Sequence, residues 1–154
     1  MAQEIERKFL LKNSNWRKEV EKSYTIQQGY LSTDKKRTVR IRIKDTKGII
    51  TIKGETQGMS RLEFEYEIPL TDGNELIGLC HSPIIKKTRH IITHENLIWE
   101  IDVFEGKNQG LILAEVELES EEQKIILPTW IGQEVTDDVR YYNSNLVAFP
   151  FSEW

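Results

Sequence analysis

The sequence predicts a mainly β (α+β) domain, built as a closed antiparallel barrel or a β-sandwich with a few helices outside. Three observations predict it. Eight runs of residues carry apolar/polar alternation with a period of two. The connections between them are short and rich in Gly, Asn, Asp and Ser. The length, 154 residues with 38% hydrophobic and 30% charged, suits one globular domain over residues 1–154 that buries a core without staples.

The elements follow in chain order. Residues 4–11 read as the first strand and Asn13-Ser14-Asn15 as a turn. Residues 16–22 read as a short polar helix or loop. Strands at 24–31 and 38–44 flank a Ser32-Thr33-Asp34 turn. Asp45-Thr46-Lys47-Gly48 turns the chain into a fourth strand at 49–54. A loop around Gly58 leads to a fifth at 62–68. Pro69 stops that strand, and Thr71-Asp72 cap a helix over 73–80. Residues 84–94 and 97–104 form strands around a tight Glu95-Asn96 turn, and 111–119 forms the eighth. Pro128-Thr129-Trp130-Ile131 reads as a helix start. Asp137-Asp138 cap a second helix reaching about Val147.

Alternate residues of a strand share a face, so parity sorts the charges. Glu4, Glu6 and Lys8 fall together, as do Arg40, Arg42 and Lys44. Lys53 shares a face with Thr51, and Glu63, Glu65 and Glu67 form an acidic row. Lys87 pairs with Arg89, Glu100 with Asp102, and Glu115 and Glu117 with Glu119. The bland reading is a set of amphipathic strands with the charged side in water. The signs, however, are segregated by strand, whereas solvated faces usually interleave them because like charges repel. Turned inward, these rows would line a tunnel with a cationic and an anionic wall. Arg and Lys would cradle a polyphosphate. The carboxylates would bind a divalent cation bridging to it, Mg²⁺ or Mn²⁺ for all-oxygen ligands.

Several classes are disfavoured. A net charge of −4 argues against a general nucleic-acid binder. No stretch approaches the roughly 20 apolar residues of a membrane span, and Glu4, Glu6, Arg7 and Lys8 interrupt any apolar leader. The single cysteine, Cys80, excludes an internal disulfide and fits a reducing, cytoplasmic compartment. His81, His90 and His94 lack the spacing of a zinc site.

The same residues resemble the CYTH domain, or triphosphate tunnel metalloenzyme, family. Its Glu-x-Glu-x-Lys signature is similar to Glu4-Ile5-Glu6-Arg7-Lys8. Thr38-Val39-Arg40-Ile41-Arg42, Thr51-Ile52-Lys53-Gly54, Glu63-Phe64-Glu65 and Lys87-Thr88-Arg89 resemble its internal strands. Trp99-Glu100-Ile101-Asp102-Val103-Phe104 and Ala114-Glu115-Val116-Glu117-Leu118 resemble its closing ones. Glu134-Val135-Thr136 and Arg140-Tyr141-Tyr142-Asn143 resemble its C-terminal segment. The matches run in the family's order over nearly the whole chain.

The resemblance implies an eight-stranded antiparallel tunnel with helices packed outside. It implies metal binding by Glu4, Glu6, Glu115 and Glu117, with Glu63, Glu65 and Asp102 assisting. It implies triphosphate binding by Lys8, Arg40, Arg42, Lys53, Lys87 and Arg89, with Arg140 closing one mouth. A Tyr30–Lys8 pair would orient or activate water, although Tyr30 also suits a plain core position. The activity implied is metal-dependent hydrolysis of inorganic tripolyphosphate to orthophosphate and diphosphate. The alternatives are a thiamine triphosphatase, an adenylate cyclase, or a non-catalytic polyphosphate or nucleotide sensor. Both acidic clusters favour an enzyme over a pure anion binder. The partner is a small-molecule triphosphate, with neither nucleic acid nor membrane. A homodimer through 147–151 and Trp154 is one expectation, and packing of that segment on the barrel is the other.

Overall fold

The computed structural model describes residues 3–154. Its strands are β1 (Gln3–Leu11), β2 (Lys22–Ser32), β3 (Arg37–Lys44), β4 (Lys47–Gly54), β5 (Ser60–Ile68), β6 (Ile85–His94), β7 (Leu97–Phe104), β8 (Ile112–Glu117) and β9 (Ile131–Glu134). Two short helices complete it, α1 (Leu70–Ile77) and α2 (Asn143–Ala148). The pairing runs β5-β4-β3-β2-β6-β7-β8-β1, and β5 returns to β1. An antiparallel barrel of eight strands is thereby closed, which decides against the sandwich.

β1 is the keystone. One edge pairs with β8 from Glu6 to Leu10. The other pairs with β5 at Gln3, Glu4 and Ile5, then with β9 at Phe9 and Leu11. β9 is where the predicted helix at Trp130 gives way to a strand. Trp130 is 1% exposed, and its indole N–H donates to Glu19 Oε2 at 2.9 Å. That anchor delivers Ile131–Glu134 to the free edge of β1. A Cβ at Gly132 would lie 3.2 Å from the Leu10 carbonyl oxygen, so glycine permits the close approach.

The second predicted helix is also divided. Val139–Tyr141 form a 3₁₀ turn, where the Asp138 carboxylate accepts from the Arg140 amide. Tyr142 is extended, with φ −68° and ψ 131°, and α2 begins only after it. α1 starts three residues earlier than predicted, directly behind Pro69. The Glu95-Asn96 turn has φ of 51° and 63°, the left-handed pair that a two-residue hairpin requires.

The hydrophobic core has two parts, one outside the barrel wall and one across the narrow end of its interior. Phe9, Ile92, Trp99, Ile101, Ala114 and Val116 point outward and are covered by Trp16, Trp130 and Ile131. A second cluster packs Leu146 and Val147 of α2 against Ile85, Phe104 and Leu113. The outward face of these strands is apolar and the inward face carries the charge, except at the narrow end, where Ile85, Phe104 and Leu113 lie on the inward face opposite Gln28, Lys87 and Asp102. The C-terminal segment packs on the barrel: Trp154 stacks edge-on against Tyr141 and Phe151 at centroid distances of 5.0 and 5.1 Å. Among the described residues, no helix is long and apolar enough to cross a membrane.

Candidate active site

Register brings the charged rows together. Thr38 lies opposite Lys53, Arg40 opposite Thr51, and Tyr30 opposite Arg40. Lys53 lies opposite Glu63 and Thr51 opposite Glu65. Arg89 faces Asp102, Glu100 faces Glu115, Lys8 faces Glu115 and Glu6 faces Glu117. One interior chamber of about 210 Å³ is lined by Arg40, Arg42, Lys53 and Arg89 against Glu4, Glu6, Glu63, Glu65, Glu115 and Glu117. A narrower end of about 40 Å³ adds Lys8, Tyr30 and Lys87.

The cationic wall is held by partners that leave donors free. Lys87 is 1% exposed and contacts Asp102 at 2.7 Å. Arg89 meets the same carboxylate through two bonds of 2.8 and 2.9 Å. Arg42 Nε donates to Gln28 Oε1 at 2.9 Å, and Arg40 Nη2 donates to Thr51 at 3.0 Å. The buried Arg40 Nε has no partner among the described residues, an unusual debt for a buried N–H. Burial, reinforced by Arg40 and Arg89, pushes Arg42 down to about 9. Burial likewise pushes Lys87 down to about 7 despite Asp102, with Arg89 and Arg42 adding to the drop. These cations repel one another, and an anion would relieve them.

The acidic wall shows the reverse shortage. Burial would raise Glu4, but Lys53, bound to both its oxygens at 3.0 Å, and Arg61 at 3.3 Å hold it at about 2. Burial would raise Glu115 too, and Lys8 at 3.7 Å helps bring it to about 2. Glu6 and Glu117 lack any such partner: no ion pair within 4.0 Å reaches either among the described residues. Glu6 retains some accessible area but is enclosed by the wall, and burial with Glu115 and Glu4 raises it to about 8. Burial, Glu4 and Glu100 raise Glu117. Burial, Glu4 and Glu65 carry Glu63 to about 7 against the pull of Lys53.

These carboxylates suit a hard divalent cation by donor chemistry, because oxygen ligands crowded enough to resist ionisation gain most from one. In their present rotamers, no three acidic, His or Cys side chains among the described residues converge as a ready-made cage.

Not every sequence-derived candidate reaches the tunnel. Asp102 is 1% exposed and spent on Arg89 and Lys87, so it neutralises the cradle and does not line the chamber. Arg140 sits outside, paired with Asp138 at 2.8 Å and stacked 5.0 Å from the Trp154 ring. Lys8 donates to the Tyr141 carbonyl at 3.3 Å and lies 5.5 Å from the Tyr142 ring. Tyr30 lines the same narrow end, but its register partner is Arg40. Arg61, Tyr142 and Asn143 join the lining unforeseen, and Gln28 is buried behind it, bonded to Arg42. Strand parity with Tyr30 and Glu63 could have found Gln28 and Arg61. Nothing in sequence periodicity marks Tyr142 and Asn143, which arrive through the break before α2.

A closed antiparallel barrel with opposed charged walls within defines a polyanion tunnel. The family model for the CYTH domain matches residues 2–145. The chain belongs to the CYTH domain family. An inorganic triphosphatase of Acetivibrio thermocellus is 44% identical over 155 residues, spanning all of this chain and 99% of that one. An inorganic triphosphatase of Nitrosomonas europaea is 37% identical over 93% of this chain and 95% of its own. The crystal structure of an inorganic triphosphatase superposes with a TM-score of 0.66 at 36% identity, covering 93% of this chain and 96% of that one.

Proposed function

We propose that this chain is a divalent-metal-dependent triphosphatase that hydrolyses inorganic tripolyphosphate to orthophosphate and diphosphate inside the tunnel. The observation that carries the reading is the double shortage of countercharge. Arg42 and Lys87 are depressed on one wall, while Glu6, Glu63 and Glu117 are raised on the other. A metal–triphosphate complex supplies the missing charge to both. The inorganic triphosphatase relatives support the same substrate.

In this reading Arg40, Arg42, Lys53, Lys87 and Arg89 hold phosphoryl oxygens. The unpartnered Arg40 Nε is one waiting donor. Glu6 and Glu117 are the principal metal ligands, with Glu4, Glu63, Glu65 and Glu115 around them. Mg²⁺ or Mn²⁺ suits this oxygen set. When bound, such an ion neutralises phosphoryl charge and acidifies water. Lys8, kept cationic mainly by Glu115 and Glu6 against burial, orients the terminal phosphoryl group at the narrow end, beside Tyr30. The protein's contribution is positioning and fixed charge for an in-line displacement at phosphorus. The lone free Cys80, whose thiol donates to the Leu76 carbonyl at 3.3 Å, fits a reducing cytoplasmic setting.

The test is phosphate release from tripolyphosphate, thiamine triphosphate and ATP, each with Mg²⁺, Mn²⁺ or chelator. Tripolyphosphate is expected to turn over fastest, and chelator to stop the reaction. Release indifferent to chelator would sink the metal mechanism.

A further inference from the structure

From the start of α2, one side chain touches Lys87 of the cationic wall and reaches Arg42 through Gln28. Asn143 is the first residue of α2. Because Tyr142 is extended, the helix starts over the narrow end of the tunnel, and Asn143 lines that end with Lys87 and Arg42. The Asn143 side-chain carbonyl accepts from Lys87 Nζ and from Gln28 Nε2, both at 3.0 Å. Gln28 is fully buried, and its own carbonyl accepts from Arg42 Nε at 2.9 Å. Its amide therefore donates at one end and accepts at the other, which fixes its orientation.

We infer that Asn143 is a positioning residue: its carbonyl fixes Lys87 directly and Arg42 through Gln28, so that their remaining N–H groups point into the tunnel. The inference rests on the tunnel being a triphosphate site. Lys87 has three N–H donors. Asp102 takes one and Asn143 a second, and the third is left for a phosphoryl oxygen. Arg42 spends Nε on Gln28 and keeps its terminal nitrogens. Without Asn143, the Lys87 ammonium is free to swing wholly onto Asp102, and the Gln28 amide is free to flip away from Arg42. Asn143 acts through these cations and is not itself a catalytic group.

The experiment compares the intact chain with Asn143→Ala, Gln28→Ala and the double variant. Calorimetric affinity for tripolyphosphate, steady-state KM and kcat, and thermal melting are all measured. Asn143→Ser replaces Asn143→Ala if the latter fails to fold. The expected result is a roughly tenfold loss of affinity and rise in KM for Asn143→Ala, on the scale of one hydrogen bond to a charged group. Its kcat should change less than about threefold, and the double variant should be no worse than the more damaged single one, because contacting residues in one network are non-additive. Lowered melting with unchanged affinity would make Asn143 a helix-start residue only and overturn the inference. Independent, additive losses would overturn the route through Gln28. Tripolyphosphate that binds but is not hydrolysed by the parent chain sinks the triphosphatase reading, while the affinity comparison still decides on Asn143.

Discussion

Glu6 and Glu117 stand opposite each other on β1 and β8, and among the described residues neither has an ion pair within 4.0 Å. Their neighbours Glu4 and Glu115 are both claimed by lysine. This difference sets the pH behaviour of the metal-free protein. Glu6 is raised from 4.5 to about 8, so between those values the folded chain holds a proton that the unfolded chain has released. Stability from this group therefore falls as pH rises through that window. Glu4 and Glu115, lowered to about 2, act oppositely: their stabilisation is present above about 4.5 and is lost as pH falls towards 2. Glu6→Gln should accordingly melt above the parent at pH 8 in chelator, by roughly 3–6 °C, while losing most turnover with metal. Equal melting points at pH 8 would mean that Glu6 is not held against its will.

At the level of elements, the eight barrel strands were legible because alternation is a local signal that tertiary packing reinforced. Sign segregation in the row of Arg40 and Arg42, and in the row of Glu63 and Glu65, also indicated which face turns inward. β9 was not legible. It has four residues, and only the docking of Trp130 and the free edge of β1 make it a strand. The break at Tyr142 was hidden for a similar reason, since Asp138 caps a turn whose continuation is decided by packing over the tunnel. Asp102 shared the charge pattern of site residues and Arg140 was implied by the family resemblance, but Asp102 is taken up by Arg89 and Lys87, and Arg140 is paired with Asp138 outside. Packing of the loop after α1 on β2 makes a separate prediction. A Cβ at Gly29 would lie 2.6 Å from Cys80 Cβ and 2.8 Å from Ile84 Cδ1. Gly29→Ala should cost about 1–3 kcal/mol by overpacking, seen as an earlier urea midpoint with an unchanged slope. No shift would mean that the 78–84 segment yields freely.

Across the whole molecule, the fold places one hydrophobic cluster outside the wall, a second across the narrow end, and its charge within the tunnel. The isolated protein is therefore strained where it is meant to bind. Cationic and anionic walls belong to one sheet, joined by strands that cross from one to the other, so neither wall forms without the other. The account stands on these walls acting together on a single metal–triphosphate complex. The most direct measurement is phosphate release from tripolyphosphate with Mg²⁺ or Mn²⁺ by the parent chain and by Glu117→Gln, with melting curves confirming that both are folded. The account predicts chelator-sensitive release by the parent and a fall of at least about a hundredfold in the variant, the scale of losing a charge-stabilising group from a site. Near-parental release by folded Glu117→Gln would contradict it.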